Sequence, residues 1–320
     1  MPASSSPTPA VAVAVVSWNT RELLRANLVA LLSEWKAGRA EVWVVDNGSS
    51  DGSPELVAEE FPWVRLLLPG ENLGFGRAVN RVAAETQSPW LAPANADIQL
   101  RPGALAALLE AGRRDPGAGL LGPRLRLLDG TVQPSVQPYP TVVNALLLHS
   151  RAHRASARIG RRLALPTHWN AGVGARVAWV TGAFVLVRRS AWDAVGGFDE
   201  RQWMYAEDID LCWRLARAGW GVRYVPEAEA LHAHGAAAAQ AFGADVDRRW
   251  VLATYEWVGR RQGARAARAL ALLNLLEARA RSKAFGLLAR RAPARFAAPA
   301  ELARAQEATH AEALVASHVD

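Results

Sequence analysis

Three short clusters of polar side chains have the residue types and spacing that metal binding or proton transfer requires. The first is Asn95-Ala96-Asp97, which follows an apolar segment of the chain. A carboxylate at such a position can hold Mg²⁺ or Mn²⁺ against a diphosphate, because hard cations prefer oxygen ligands. The same tripeptide is also typical of a turn that ends a strand, so both interpretations stay open.

The second cluster is Glu207-Asp208-Ile209-Asp210, which begins a predicted helix. One of these carboxylates could act as a general base that takes a proton from an acceptor hydroxyl. Three acids within four residues repel one another, and this repulsion can raise one pKa toward neutrality. The structural alternative is that the acids only stabilise the first turn of the helix through its dipole.

The third cluster consists of His232 and His234, which follow a predicted strand. In an extended segment the two imidazoles point to the same side of the chain. Either of them could complete a metal site. Two histidines on a loop are more often simply exposed, and the sequence does not exclude that alternative.

Alternating strands and helices must position these clusters. Apolar strands are predicted at 11–16, 42–45, 64–68 and 90–92, and helices begin near Thr20, Pro54 and Gly76. This alternation is typical of an α/β fold with a doubly wound, mainly parallel sheet. Ligands bind beyond the carboxyl ends of such strands. The polar residues at those ends are Ser17 to Asn19, Asp46 to Asp51 and Asn95 to Asp97.

The remaining sequence predicts fewer regular elements and a division into three parts. Helices are predicted at 102–113 and 207–218, and strands at 120–128, 177–187 and 222–225. Residues 131–170 contain several prolines and are predicted to form an irregular, mobile flap. We expect a disordered leader over 1–10, an α/β domain over 11–245 and a helical extension over 246–320.

The composition excludes several classes of protein. A chain of 320 residues with 51% hydrophobic and 21% charged residues is globular rather than disordered. No apolar run approaches the ~18–20 residues of a membrane-spanning helix, and residues 1–10 do not resemble a signal peptide. The single cysteine, Cys212, excludes an intrachain disulfide and indicates a reducing cytoplasm. Gly74 and Gly76 lack the third glycine of a dinucleotide fingerprint, since position 79 is valine.

The net charge of +7 is concentrated near the C-terminus. Residues 248–295 hold 12 bases and 2 acids, whereas the rest of the chain holds 25 bases and 28 acids. This uneven distribution differs from the uniformly basic composition of a nucleic-acid binder.

A helix over 261–290 would carry a basic stripe beside an apolar one. The stripes comprise Arg261, Arg265, Arg268, Arg279, Lys283 and Arg290, and Ala269, Leu273, Leu276, Ala280, Ala284 and Leu287. Such a face suits an anionic membrane, which predicts a peripheral protein on the inner face of the cell membrane. Alternatively, the apolar stripe packs on the α/β domain and the arginines are solvated.

The order and spacing of the motifs resemble glycosyltransferase family 2, and within it the bacterial rhamnosyltransferase-like members. The resemblance covers about residues 11–240. It rests on the following segments: 13–19, 44–51 (VVDNGSSD), 71–76 (ENLGFG) with Asn80, 95–97 (NAD), 179–184 (WVTGAF), 196–200 (GGFDE), 205–214 (YAEDIDLCWR) and 225–228 (VPEA) with His232.

The resemblance implies a GT-A fold and an inverting transfer of a sugar from a dTDP- or UDP-sugar, with rhamnose as the expected sugar. The acceptor would be a saccharide or a lipid-linked molecule of surface-polysaccharide or cell-wall synthesis. By similarity, Asp208 is the catalytic base, Glu207 contacts the acceptor, and Asp97 and His232 bind Mg²⁺ or Mn²⁺. The residues implied to bind the nucleotide sugar are Ser17, Asn19, Asp46, Asn72, Arg77 and Asn95.

Two other classes of function remain as alternatives. Asn95 stands where the familiar Asp-x-Asp metal pattern has its first aspartate, which motivates an inactive sugar-nucleotide-binding scaffold subunit. That alternative predicts donor binding without turnover. A nucleotidyltransferase would need a glycine-rich, basic loop after the first strand, where this chain has Ser17 to Arg21 instead.

Overall fold

The computed structural model describes residues 9–165, 169–233 and 243–316, and the chain divides into two compact units. The first unit comprises the chain up to Gln137 together with Asn170–Gly243. The second comprises Pro138–Trp169 together with the chain from Ala244 onward. Most of the predicted leader and His234 lie outside the described residues.

The first unit alternates strands and helices along the chain. Its strands are β1 (Val11–Ser17), β2 (Ala40–Asp46), β3 (Arg65–Leu67), β4 (Trp90–Asn95), β5 (Ile98–Leu100), β6 (Ala118–Arg126), β7 (Val136–Gln137), β8 (Ala175–Val177), β9 (Trp179–Val180), β10 (Leu186–Arg188) and β11 (Gly221–His232). Its helices are α1 (Arg21–Lys36), α2 (Ser53–Glu60), α3 (Phe75–Glu85), α4 (Ala104–Arg114), α7 (Arg189–Val195) and α8 (Glu207–Arg217).

Among the described residues, nine strands form one sheet in the order β3-β2-β1-β4-β10-β6-β11-β5, with β8 paired to β11. The four strands from β3 to β4 are parallel to one another, whereas β10 is antiparallel to both of its neighbours. Val11, Val13 and Val15 of β1 are completely buried, as expected for a strand covered on both faces. The predicted α/β fold with a mainly parallel sheet is therefore confirmed.

The prediction of one long strand over 177–187 is wrong. The structure has three short strands there, β8, β9 and β10, and β9 pairs with β7 in a separate two-stranded sheet. The chain leaves the main sheet because it approaches α8 at Gly182. The backbone N–H of Gly182 donates to the carboxylate of Asp208 at 2.9 Å. An apolar run alone does not report such a departure.

The predicted strand over 222–225 is too short, since β11 continues to His232. Its register against β6 shifts between Val225 and Glu229. Pro226 lies within this shift, and proline is tolerated in a strand at such irregular positions. The longer strand brings His232 opposite Ile98 of β5.

The second unit is helical, and residues 138–169 belong to it rather than to the α/β domain. Its helices are α5 (Val142–His149), α6 (Ala157–Arg162), α9 (Val246–Gln262), α10 (Ala264–Arg291) and α11 (Pro293–Ala316). The predicted irregular flap over 131–170 is therefore partly wrong, because α5 and α6 lie inside it. The predicted single helix over 261–290 is also broken, at Gly263, whose φ of +96° is not helical. None of the described helices is long and apolar enough to cross a membrane.

Candidate functional site

A tightly hydrogen-bonded loop follows β2 at the carboxyl end of the parallel strands. Asp46 Oδ1 accepts hydrogen bonds from the backbone N–H groups of Gly48, at 3.1 Å, and Ser49, at 2.7 Å. Asp46 is buried, and its Oδ2 has no hydrogen-bond partner among the described residues. A buried carboxylate oxygen left free in this way is an acceptor available to a ligand, because an unpaired buried polar atom is costly.

The loop after β1 is joined to the same segment. The backbone N–H of Asn19 donates to Ser49 Oγ at 2.8 Å, and Asn19 Oδ1 accepts from the backbone N–H of Ser50 at 2.7 Å. Ser17 is buried and its hydroxyl lies 3.0 Å from that of Thr20. Three of the predicted nucleotide-binding residues, Ser17, Asn19 and Asp46, are thus brought together on two adjoining loops.

A third loop, before α3, is fixed to the loop after β2. Asn47 Oδ1 accepts from the backbone N–H of Leu73 at 3.3 Å, and Asn47 Nδ2 donates to the carbonyl of Gly74 at 3.2 Å. Asn72 Oδ1 accepts from the backbone N–H of Gly74 at 2.9 Å. Predicted Asn72 therefore lies next to the Asp46 loop. Arg77 lies half-exposed on α3, where its nearest acidic neighbour, at 3.9 Å, is Glu200.

Asp97 and His232 are brought together, as the metal prediction requires. Both residues are buried, and Asp97 Oδ1 lies 3.4 Å from His232 Nε2. Asp97 follows β4 and His232 ends β11, so the pair connects two strands that are distant in the sequence. Asp97 Oδ1 has no hydrogen-bond partner in the described part of the chain.

Gln133 determines which nitrogen of His232 carries the proton. Its Oε1 lies 2.7 Å from His232 Nδ1 in a buried contact, and an amide oxygen only accepts. With a proton on Nδ1, Nε2 can present its lone pair toward the carboxylate of Asp97. An imidazole nitrogen beside a carboxylate oxygen is a ligand set that fits a divalent cation.

The described residues contain no group of three or more His, Cys, Asp and Glu side chains that could hold a metal. Asp97 and His232 therefore offer two protein ligands. Such a partial set is typical of Mg²⁺ sites in which substrate phosphates supply further oxygens. Asn27 of α1 supports the Asn95–Asp97 turn, because its buried Nδ2 donates to the carbonyl of Ile98 at 2.7 Å.

Asp208 lies in the first turn of α8 with its carboxylate anchored to the backbone. Its Oδ2 accepts from the N–H of Gly182, and its Oδ1 accepts from the N–H of Ile209 at 2.7 Å. A β-carbon at position 182 would lie 2.8 Å from the Asp208 β-carbon, so only glycine allows this approach. The next residue, Ala183, accepts a hydrogen bond from the backbone N–H of Asn95 at 2.9 Å. The predicted base is therefore adjacent to the Asn95–Asp97 turn.

Glu207 and Asp208 share an environment that disfavours charge. Burial, together with the smaller effect of the neighbouring Asp208 charge, raises the pKa of Glu207 to about 8. Burial also raises the pKa of Asp208, whereas its two backbone N–H donors lower that pKa by favouring the ionised form. Glu207 Oε2 has no such donor among the described residues. We assign the negative charge of the pair to Asp208 and the proton to Glu207 for this reason.

Asp210 does not belong to this pair. It is completely buried, and its Oδ2 accepts from Arg214 Nε at 2.6 Å, while Arg214 also donates to the carbonyl of Val195. The sequence analysis grouped three acids, but one of them has a structural ion pair. Sequence reasoning also missed Gln133, Gly182 and Asn27, which orient the site from distant parts of the chain.

The described residues form a nine-stranded sheet of the GT-A type, with polar loops at the ends of β1, β2 and β4. The Asp97–His232 pair and the anchored carboxylate of Asp208 lie near the loop that follows β4. The fold is similar to that of the mannosyltransferase PcManGT from Pyrobaculum calidifontis, solved in complex with GDP-Man and Mn²⁺. The TM-score is 0.58, the identity is 20%, and the match covers 98% of this chain and 86% of that chain. The chain belongs to the family described as "Glycosyltransferase like family 2", whose model matches residues 8–253.

Curated relatives agree with the rhamnosyltransferase-like resemblance. The chain is 43% identical over 208 residues to the N-acetylglucosaminyl-diphospho-decaprenol L-rhamnosyltransferase of Mycobacterium tuberculosis, which covers 60% of this chain and 66% of that protein. The chain thus spans a little under two thirds of that relative. It is also 52% identical over 56 residues to rhamnosyltransferase WbbL of Escherichia coli, across 18% of this chain and 21% of that protein. The predicted family is confirmed.

Proposed function

We propose that this protein is an inverting glycosyltransferase that moves rhamnose from a dTDP-sugar to a lipid-linked saccharide of cell-wall or surface-polysaccharide synthesis. The sugar and acceptor are proposed from the similarity to the mycobacterial and WbbL rhamnosyltransferases. The observation on which the proposal depends most is the anchored carboxylate of Asp208 beside the Asn95–Asp97 turn.

Asp208 performs the proton transfer of the proposed reaction. The acceptor hydroxyl gives its proton to the Asp208 carboxylate while its oxygen forms a bond to the anomeric carbon of the donor. The bond between that carbon and the diphosphate oxygen breaks at the same time, and the nucleoside diphosphate leaves with the electron pair. Attack from the face opposite the leaving group inverts the configuration. The Gly182 and Ile209 N–H groups keep the carboxylate oriented and ionised.

Glu207 contacts the acceptor in its protonated form. A neutral carboxyl group donates one hydrogen bond, so it can bind a second acceptor hydroxyl without competing for the proton that moves. Because its pKa is raised to about 8 by burial, Glu207 is neutral at pH 7. This division of charge between two adjacent carboxyl groups follows from their different hydrogen-bond donors.

The donor binds at the opposite side of the proposed site. The free Oδ2 of Asp46 accepts a hydrogen bond from the pyrimidine N–H, and Ser17 and Asn19 line the same pocket. Asn72, Arg77 and Asn95 contact the remaining nucleotide sugar. Asp97 and His232 hold Mg²⁺ or Mn²⁺, which when bound neutralises charge on the leaving diphosphate.

The inactive-scaffold alternative gains no support from the site. That alternative was based on the carboxylate that is missing at Asn95. In the proposed metal site, however, His232 provides a second ligand atom beside Asp97. An inactive protein also has no need for a carboxylate held against Gly182 in the way that Asp208 is. The active transferase and the inactive scaffold are both expected to bind the donor, but only the transferase is expected to turn it over.

The test separates donor binding from transfer. Calorimetry with dTDP, UDP and GDP, each with and without Mn²⁺, is expected to show metal-dependent binding of dTDP that Asp97→Ala weakens. Asp208→Asn is expected to bind dTDP normally and to lose about 10²–10⁴ in the rate of transfer to a synthetic N-acetylglucosaminyl-diphospho-lipid. The exposed Asp193→Asn is the matched control. Equal transfer by Asp208→Asn and wild type would refute the assignment, and binding of none of the nucleotides would favour a fold without this function.

We also propose that the protein attaches peripherally to the inner face of an anionic membrane. The predicted stripes remain on one side of α10, where Leu276 and Leu287 are 53% and 63% exposed and Arg279 and Lys283 are exposed beside them. Arg261, by contrast, lies on α9 beyond the break at Gly263, so the attaching face begins at Ala264. Leucines flanked by bases are the composition of a helix that lies in the headgroup region.

A further inference from the structure

Helix α5 exposes apolar side chains although it is firmly fixed to the second unit. Val143, Leu146 and Leu148 are 53%, 48% and 42% exposed, which is unusual for three of eight residues in a short helix. The helix is capped, because Thr141 Oγ1 accepts from the backbone N–H of Asn144. Ala145 is buried, and α5 packs against α10. At ~100° per residue, Val143 and Leu146 lie on one face of this ordered helix and form an apolar surface, whereas Leu148 lies on another side.

An acid-free, arginine-rich segment follows α5. No Asp or Glu occurs between Asp129 and Asp193. Five arginines are exposed after α5, and none of them pairs with a carboxylate of the described residues; they are Arg151, Arg154, Arg158, Arg161 and Arg162. Arg162 instead donates to the amide oxygen of Asn144.

Two arginines of the first unit show the contrast. Arg113 and Arg114 of α4 are also exposed, but both form ion pairs with Glu110, at 2.6 and 2.8 Å. A positive surface without internal counter-charges is complementary to an external anion. The adjacent apolar side chains distinguish this surface from one that binds only a soluble anion, since they require an apolar medium.

We propose that the face formed by α5 and the segment 151–162 is the part of the protein that inserts into an anionic phospholipid bilayer. Val143 and Leu146 enter the boundary between headgroups and acyl chains, and the arginines bind lipid phosphates. The inference rests on the proposed peripheral attachment and deepens it by naming the inserting segment. An acidic protein or a free phosphate would use the arginines but leave these two apolar side chains exposed to water.

Fluorescence at position 146 tests insertion directly. Cys212 is completely buried, so Leu146→Cys can be labelled selectively with an environment-sensitive dye. Vesicles containing phosphatidylglycerol are expected to shift the emission to the blue, whereas phosphatidylcholine vesicles and inorganic phosphate leave it unchanged. The same label at Leu128→Cys, an exposed leucine of the first unit, is the control. Vesicle binding without a blue shift at position 146 would overturn the proposal.

Sedimentation with the same vesicles at low salt identifies the contributing residues. Arg154→Gln/Arg158→Gln is expected to weaken binding roughly 25-fold, at about fivefold for each arginine, while Arg113→Gln/Arg114→Gln changes it less than twofold. Val143→Gln/Leu146→Gln should also weaken binding, whereas Leu68→Gln/Leu128→Gln should not.

A third pair of substitutions separates this inference from the attachment on which it rests. If Leu276→Gln/Leu287→Gln on α10 abolishes vesicle binding and the α5 variants bind like wild type, the α5 proposal is refuted and attachment through α10 stands. If wild type binds no vesicles, both are refuted, and the transfer reaction in solution is judged separately.

Discussion

Replacing Gln133 by leucine tests whether the Asp97–His232 pair is a metal site. In the native protein Gln133 Oε1 accepts from His232 Nδ1 and keeps the Nε2 lone pair directed at Asp97. Leucine removes the acceptor, and the buried Nδ1–H group loses the hydrogen bond to Gln133. The imidazole can then move its proton to Nε2 and donate to Asp97 Oδ1, only 3.4 Å away. A metal ion must displace that proton before it can bind.

The size of the effect follows from this competition. Leaving a buried donor unsatisfied costs roughly 1–3 kcal/mol, and loss of an outer partner of a metal-binding histidine lowers affinity about 10–100-fold. The two figures agree, since about 1.4 kcal/mol is a factor of ten. Calorimetric or electron-paramagnetic titration of Mn²⁺ in the presence of dTDP is therefore expected to give a dissociation constant raised by about 10–100-fold in Gln133→Leu.

The conservative variant Gln133→Glu supplies the control. A glutamate oxygen at this position still accepts from Nδ1, so Mn²⁺ affinity is expected to stay within about threefold of the native value. A purely structural role for Gln133 would lower the stability of both variants without this difference in metal affinity. Native Mn²⁺ affinity in a folded Gln133→Leu protein, or equal weakening in both variants, would refute the reasoning.

Three further predictions concern the base, its neighbour and the helical unit. Gly182→Ala places a β-carbon 2.8 Å from that of Asp208. The initial rate of sugar transfer is therefore expected to fall at least about tenfold, while the dTDP affinity measured by calorimetry stays unchanged. An unaffected transfer rate would contradict the anchoring role of Gly182. The transfer rate of the wild-type protein is expected to decline as pH rises through about 8, where Glu207 ionises. In a pH–rate profile of Glu207→Gln this decline should be absent. If the variant shows the same decline, Glu207 is not its cause. Burial lowers the pKa values of His149 and His310 below the ordinary 6.5. The unfolded chain therefore takes up protons first as pH falls below 6.5, and the thermal midpoint of the helical unit should drop between pH 7.5 and 5.5; a midpoint that is constant over this range would contradict the shifts.

Local sequence patterns were sufficient to predict the half of the site that lies at parallel strand ends. The valine-rich run at β1 and the turn residues after Asp46 are signals within a single segment, and the parallel arrangement then brings strand ends to one edge. Ser17, Asn19, Asp46 and Asp97 were candidates for this reason. Asp97, Asp208 and His232 were also candidates from their residue types, although each fitted a turn, a cap or a surface position as well. The resemblance to the family added the expected roles of all six residues.

The second half of the site depends on pairings that no local pattern reports. His232 faces Asp97 because β11 continues past Pro226 and pairs antiparallel with β5, a strand of three residues. Gln133 contacts His232 across 99 positions of sequence. The apolar run over 177–187 had the composition of a strand, but contact between Gly182 and Asp208 takes it out of the sheet. Gly263, in contrast, is a helix-breaking residue that is visible in the sequence. The prediction of one continuous helix over 261–290 did not take it into account.

Asn95 stands where the Asp-x-Asp metal pattern has its first aspartate. The protein therefore offers one negative charge fewer to a bound metal ion, and another group has to supply it. Asp97 contributes one negative charge and His232 none, so the protein alone neutralises only half of a divalent cation. In the proposed complex a nucleoside diphosphate would bring the remaining charge, so the metal and the donor would stabilise each other's binding. By linkage, the factor by which dTDP strengthens Mn²⁺ binding equals the factor by which Mn²⁺ strengthens dTDP binding. Because the freed nucleoside diphosphate still carries its phosphates, the metal and the diphosphate would strengthen each other's binding before and after transfer, and we expect them to leave the proposed site together.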